Sequence, residues 1–117
     1  MNICVVSFST IDYKIGNYTR KINEKYCKNK NYDFCFYNEV PNELKNRHPA
    51  WCKLYYILKK MENRSIKYVM WIDADAFFCN FTLSIESWIE KAHNKKIIIS
   101  IDPGYSLEYF KTNPILL

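Results

Sequence analysis

Two aspartates one residue apart, Asp73-Ala74-Asp75, close the apolar run Tyr68-Val69-Met70-Trp71-Ile72. On an extended segment, side chains at i and i+2 project to the same side. Two carboxylates held that way repel each other unless a cation sits between them. A hard divalent ion suits the pair, because Mg²⁺ or Mn²⁺ takes one or two protein carboxylates and completes its shell with substrate phosphates and water. Ala74 is small enough for a ligand to approach the backbone. An Asp-x-Asp triplet also arises by chance, and the plain alternative is a polar turn ending a strand. Its setting argues for chemistry: it is followed by Ala76-Phe77-Phe78, expected to be buried, and acids flanked by core need a reason to be there. No residue stands out as a catalytic base or nucleophile. His48 has no partner at metal-ligand spacing and reads as a surface histidine. Trp51 and Trp71 could stack on a sugar, but core packing is the expected role of both.

Something must hold that pair in place, and the hydrophobic pattern shows what. Ile3 to Phe8 is a short, β-branched apolar run of the kind buried on both faces of a parallel sheet. Ile15, Tyr18, Ile22 and Tyr26 recur at helical spacing. Tyr32 to Tyr37 reads as a second strand. After a loop with two prolines, a helix begins past Pro49 with Trp51, Leu54, Tyr55, Leu58 and Met61 on one face, and lysines 53, 59 and 60 elsewhere on its surface. Lys67 to Ile72 is a third strand. Thr82 is placed to cap a third helix with the stripe Ile85, Trp88, Ile89 and Ala92, on which Trp88 should be buried. Lys96 to Ile101 is a fourth strand, ended by a turn at Asp102-Pro103-Gly104. The order β-α-β-α-β-α-β predicts an α/β fold: a mainly parallel, Rossmann-like sheet, strand order 2-1-3-4, with helices on both faces. Ligands of such sheets bind at the carboxyl ends of the strands, hence just after Phe8, Tyr37, Ile72 and Ile101.

The bulk properties narrow the function. At 117 residues, 49% hydrophobic and 25% charged, the chain reads as one soluble domain, residues 1–117. The net charge of +5 is scattered, with no dense basic run, so no nucleic-acid partner is expected. Five cysteines without a CxxC pair fit neither a zinc site nor a disulfide framework; Cys4 and Cys35 read as small core residues in a reducing compartment. The first residues lack a signal-peptide pattern and no stretch approaches a membrane span, so a cytoplasmic location is expected.

The stretches Arg47-His48-Pro49-Ala50-Trp51-Cys52-Lys53-Leu54 and Tyr68-Val69-Met70-Trp71-Ile72-Asp73-Ala74-Asp75-Ala76-Phe77-Phe78-Cys79-Asn80 resemble the fungal galactosyl/mannosyltransferases and plant xylosyltransferases. Their pattern is a tryptophan-x-lysine helix, then a strand ending in tryptophan, a hydrophobe and Asp-x-Asp-Ala. Ile3–Ser9 and Tyr26–Tyr37 fall in register as well, and the resemblance thins after Ile101. It implies the nucleotide-sugar half of a GT-A enzyme that uses Mn²⁺ (or Mg²⁺) and retains anomeric configuration. By the same resemblance Asp75 is the direct metal ligand, Asp73 contacts the ribose or the metal's water shell, and Lys53 either approaches the diphosphate or is a solvated helix lysine. Topology places the base and ribose by Ser7, Phe8, Ser9 and Thr10, with Asp12 and Tyr13 following in the loop, where Tyr13 could stack on the base. A nucleotide-diphosphate sugar is the expected donor, and a glycan or protein the acceptor.

The family domain is longer. Its acceptor-binding second half is expected after the fourth strand, so this domain is expected to be incomplete, either as a fragment or with a second chain supplying the remainder. Two rival readings stay open. Haloacid-dehalogenase-type phosphatases also place Asp-x-Asp after a strand, but after the first strand and with threonine or valine where Phe77 stands here. The other rival is a nucleotide-sugar-binding remnant without transferase activity.

Overall fold

In the computed structural model, which describes residues 2–93 and 95–99, the apolar run forms strand β1 (Ile3–Phe8), every residue of it buried. Such a strand must be central, because both its faces and both its edges need partners. β2 (Asp33–Tyr37) pairs with it in parallel from Cys4↔Asp33 to Phe8↔Tyr37, and β3 (Tyr68–Trp71) pairs on the other side from Ile3↔Tyr68 to Val6↔Trp71. The order is β2-β1-β3. Hydrogen bonds from Ser9 N to Tyr37 O and from Ile72 N to Val6 O, both 3.0 Å, carry the ladders one step beyond the strands. The carboxyl ends of β1 and β3 therefore lie side by side, with Ser9 and Asp73 leaving the same edge.

Helices cover both faces of this sheet, as expected. α2 (Cys52–Met61) lies on the face of Cys4, Val6 and Phe8, where Cys52 and Tyr56 complete a core cluster flanked by Cys35, Tyr37, Val69 and Trp71. α1 (Ile15–Lys30) covers the other face, with the Arg20 guanidinium 4.9 Å from the centre of the Phe36 ring. It stops at Asn31, whose left-handed conformation (φ 60°) returns the backbone N–H to the carbonyls of Cys27 and Lys28. α2 is introduced by a 3₁₀ turn, Pro49–Trp51, in which His48 Nδ1 accepts the Ala50 N–H at 3.2 Å. All five cysteines are free thiols; of the two read as core residues Cys4 is buried and Cys35 half-buried, and burial pushes the thiol pKa of Cys4 and of the buried Cys27 up to about 12.

Both helices are rotated from the faces their apolar stripes suggest. α2 buries Cys52 and Tyr56, whereas Trp51, Leu54, Leu58 and Met61 are all exposed. Lys60, one turn beyond Tyr56, joins the inner face and lies over the Tyr37 ring. α1 buries Gly16, Thr19, Asn23, Tyr26 and Cys27, while Ile15, Tyr18 and Ile22 face outward. Period alone defines a stripe but not which of two neighbouring stripes meets the sheet. Here the choice is made by small or polar groups that fit tighter contacts.

The residues from Leu83 onward form a second compact unit. It contains α3 (Ile85–Lys91), capped by Ser84, whose hydroxyl accepts the Ser87 N–H at 3.3 Å. The expected cap, Thr82, instead bonds Asn80 Oδ1 through its own N–H and hydroxyl. Ile85 and Ile89 are buried, but Trp88 is 55% exposed, so its expected burial is corrected. Residues 96–99 form no strand, and Ile97 and Ile99 are each 77% exposed. Strand-like composition is insufficient without a hydrogen-bonded neighbour. Residues 100–101 of that expected strand, and the Asp102-Pro103-Gly104 turn, lie outside the described residues.

Candidate nucleotide-sugar site

β3 ends at Trp71, and the chain then turns sharply: the Ala76 N–H donates to the Asp73 carbonyl at 3.0 Å. Asp73 and Asp75 are thus the first and third residues of a β-turn, a position aspartate favours at its start. This corrects the expectation of an extended segment with both carboxylates projecting from one face. Both remain exposed.

Their surroundings differ. Asp73 Oδ1 accepts the Trp71 indole N–H at 2.6 Å and lies 3.2 Å from the Lys53 ammonium of α2. Lys53 also stands 5.5 Å from the centre of the Trp71 ring, so lysine, tryptophan and aspartate form one cluster. The indole N–H and, after it, the Lys53 ammonium hold the Asp73 carboxyl below the usual carboxylate range, against a partial burial that would raise it. The carboxylate of Asp75 is engaged by no described residue. Asp75 is therefore the side chain free to ligate a hard cation, with Asp73 Oδ2 as the second available oxygen. No group of three or more His, Cys, Asp or Glu converges among the described residues.

Asp73's lowered pKa has a consequence for acid stability. A folded-state value below the unfolded one, about 3.9, contributes stability above that pH and loses it as pH falls through the lower folded value. Asp73→Asn should flatten the acid limb of the urea-unfolding midpoint below about pH 4. A limb as steep as the wild type's would show that the cluster does not stabilise the ionised carboxylate.

Beside the turn lies the end of β1. The Ser9 hydroxyl is within 3.2 Å of the carbonyls of both Thr10 and Tyr13, and the Tyr13 N–H returns to Thr10 O at 3.1 Å, so residues 9–13 make a tight loop. Asp12 and Tyr13 project into solvent from it. Ser7 and Phe8 sit differently. Both are buried, and the Phe8 ring stacks on Tyr56 inside the core. Only their backbone can border a ligand. Phe77, expected to be buried after the turn, is 52% exposed, whereas Phe78 stacks on Tyr26 with ring centres 3.9 Å apart.

Three residues that the hydrophobic pattern passes over hold these parts together. Gly16 of α1 is packed so closely on Ser9 that an added Cβ would lie 2.6 Å from its Oγ and 2.8 Å from its Cβ, with the Ala74 Cβ 3.8 Å away. Thr19 Oγ1 donates to the Ala74 carbonyl at 2.5 Å. Asn23 donates to the Ala76 carbonyl and accepts the Phe78 N–H, each at 3.0 Å. The sequence signal for them is a stripe of small and polar residues, 16, 19 and 23, at helical spacing. Ser9 has little freedom to retreat, since its N–H is bound to Tyr37 O. For Gly16→Ala, overpacking should therefore outweigh the gain in helix propensity, with a net cost of about 1–2 kcal/mol. A melting temperature equal to or above the wild type's would show that the contact relaxes freely.

A shallow hollow of about 350 Å³ lies at the amino-terminal edge of β2, lined by Glu24, Cys27, Lys28, Tyr32, Asp33 and Phe34. It lies at the other end of the strands from Asp73 and Asp75, which remain the candidate site.

Comparison with known proteins identifies the family. The model of the galactosyl transferase GMA12/MNN10 family matches residues 7–111. Among solved structures, the chain is similar to a glycosyltransferase involved in the glycosylation of the major capsid of PBCV-1, with a TM-score of 0.61 and 21% identity. The likeness covers 76% of this chain and 45% of that one, so the chain spans less than half the length of that protein. At such identity the likeness concerns the fold. A search of curated proteins found no match.

Proposed function

The chain belongs to the galactosyl transferase GMA12/MNN10 family, and from that premise we propose that it is the nucleotide-sugar-binding part of a metal-dependent glycosyltransferase. The reaction is transfer of a hexose or pentose from a nucleotide-diphosphate sugar to a glycan or protein acceptor, with retention of configuration. The observation that carries the reading is the Asp73–Ala76 turn at the carboxyl edge of a parallel sheet, with one carboxylate tied to Lys53 and the other free. That is where ligands of parallel sheets bind.

The donor set fits Mn²⁺ or Mg²⁺. Asp75 and the open oxygen of Asp73 supply the one or two carboxylates such ions take, and a diphosphate supplies further oxygens. When bound, the cation would neutralise charge on the departing nucleoside diphosphate. Lys53 adds a second positive charge at the same edge, fixed beforehand by Asp73 and Trp71, so it need not reorganise as that charge develops. Ser9 and Thr10 border the nucleoside, the backbone of Ser7 and Phe8 lies behind them, and Asp12 and Tyr13 reach outward where Tyr13 can cover the base. Ala74, without a bulky side chain, leaves room for the phosphates. Among the described residues no helix is long and apolar enough to cross a membrane.

Donor binding without transfer is the second reading, since the site built from Asp73, Asp75 and Lys53 offers contacts for a diphosphate and a cation but, among the described residues, no group placed as a catalytic base or nucleophile. A turnover assay with UDP- and GDP-sugars and Mn²⁺ separates the two. Release of nucleoside diphosphate above the metal-free rate supports the enzyme. Saturable binding with no release supports the binding module, and neither binding nor release would overturn both.

A further inference from the structure

Thr19 and Asn23 are buried polar residues in the middle of a helix, 5% and 1% exposed. Both are poor choices for the inner face of a helix, where an apolar side chain would pack without needing a partner. Their bonds explain them. A hydroxyl carries one proton, and Thr19 Oγ1 lies 2.5 Å from Ala74 O but 3.3 and 3.4 Å from Gly16 O and Ile15 O in its own helix. The proton therefore serves the turn. Asn23 uses both ends of its amide, donating to Ala76 O and accepting from Phe78 N, and a rotated amide would satisfy neither. Together the two side chains hold the backbone at 74, 76 and 78, on alternate residues flanking and following Asp75. Within the turn itself the backbone bond is that from Ala76 N to Asp73 O, so the conformation that aims Asp75 is imposed largely from α1.

We propose that Thr19 and Asn23 are positioning residues that fix the 73–78 turn in the conformation in which Asp75 can share a divalent cation with a diphosphate. They touch neither ligand. Their effect reaches the cation through the backbone of Ala74 and Ala76, which would otherwise sample conformations that point Asp75 elsewhere. Only the competent fraction of such an ensemble binds, and apparent affinity falls with that fraction. The inference rests on the proposed function, since it presumes that Asp75 meets a cation.

The test uses the full chain with Thr19→Val, which keeps shape and removes the hydroxyl, Thr19→Ser, which keeps the hydroxyl, and Asn23→Leu. Two readouts are needed. Calorimetry with Mn²⁺ and UDP or GDP gives the factor by which metal strengthens nucleotide binding, and amide exchange without metal gives the protection of residues 74–78. Thr19→Val and Asn23→Leu should lower the metal's strengthening factor by about tenfold or more. They should leave metal-free nucleotide affinity within about twofold, and Phe78 N–H should exchange faster in Asn23→Leu. Thr19→Ser should retain the coupling. A purely structural role would instead lower the melting temperature while the folded protein kept its metal effect. Coupling intact in Thr19→Val, or exchange at 74–78 unchanged in both disruptive variants, overturns this inference while leaving the proposed function standing. A wild type that binds nucleotide with no metal effect overturns the metal reading and this inference with it.

Discussion

Replacing Tyr56 with alanine should cost about 3–5 kcal/mol, the range for deleting a large buried aromatic ring. Tyr56 is 9% exposed and stacks on Tyr37 of β2 with ring centres 3.9 Å apart and planes 7° from parallel. It also stacks on Phe8 at 6.0 Å and meets the edge of Tyr55 at 5.3 Å. Its hydroxyl donates to the Glu39 carbonyl at 2.5 Å, tying α2 to the loop after β2. One side chain thus joins a helix, two strands and a loop, and its loss leaves both a cavity and an unpartnered carbonyl. Tyr56→Phe removes only the hydrogen bond and should cost about 1 kcal/mol. The contrast is Trp88→Ala, which at 55% exposure should cost about 1 kcal/mol or less although more atoms are removed. Urea unfolding of the three variants checks the ranking. Equal losses for Tyr56→Ala and Trp88→Ala would mean that the core is not centred on the Tyr56 face of α2.

That ranking reverses what the apolar pattern suggests, and the reason is general. β1 was legible from Ile3 to Phe8 because a continuous β-branched run has few alternatives, and the order β2-β1-β3 follows from right-handed crossovers. The faces of α1 and α2 were not legible in the same way. Apolar periodicity rewards Ile15, Tyr18 and Ile22, but the side of α1 that meets the sheet edge must satisfy the backbone of a turn that pairs with no strand. Thr19 and Asn23 do this, and Gly16 lets Ser9 approach. On α2, Cys52 and Tyr56 have the same spacing as the more apolar Trp51, Leu54 and Leu58, so the period alone does not rank them. The Asp-x-Asp pair was visible through its setting at a strand end. Trp71's second role was hidden, because a tryptophan inside a strand reads as core until its N–H is seen on Asp73. The β-turn at 73–76 was open as an alternative but not the expected conformation, since Asp-Ala-Asp-Ala contains neither glycine nor proline.

Asp75→Asn should remove the effect of Mn²⁺ on nucleotide affinity while leaving the fold intact. The substitution preserves size and polarity, the side chain is exposed, and no described residue loses an ion pair. What is lost is the charge that offsets a divalent cation, so the coupling, typically between about 5- and 150-fold for linked ligands, should collapse towards one. Asp73→Asn should weaken the coupling less, because Asp73 Oδ1 is already committed to Trp71 and Lys53. It should lower metal-free affinity little or raise it, since removing the aspartate's charge releases Lys53 to meet the diphosphate. The direct measurement is a calorimetric titration of UDP and GDP into the wild type and Asp75→Asn, with and without Mn²⁺. One of the nucleotides should bind the wild type more tightly with metal, and this gain should vanish in Asp75→Asn. Equal affinity with and without Mn²⁺ in the wild type, or a metal gain undiminished in Asp75→Asn, would contradict it.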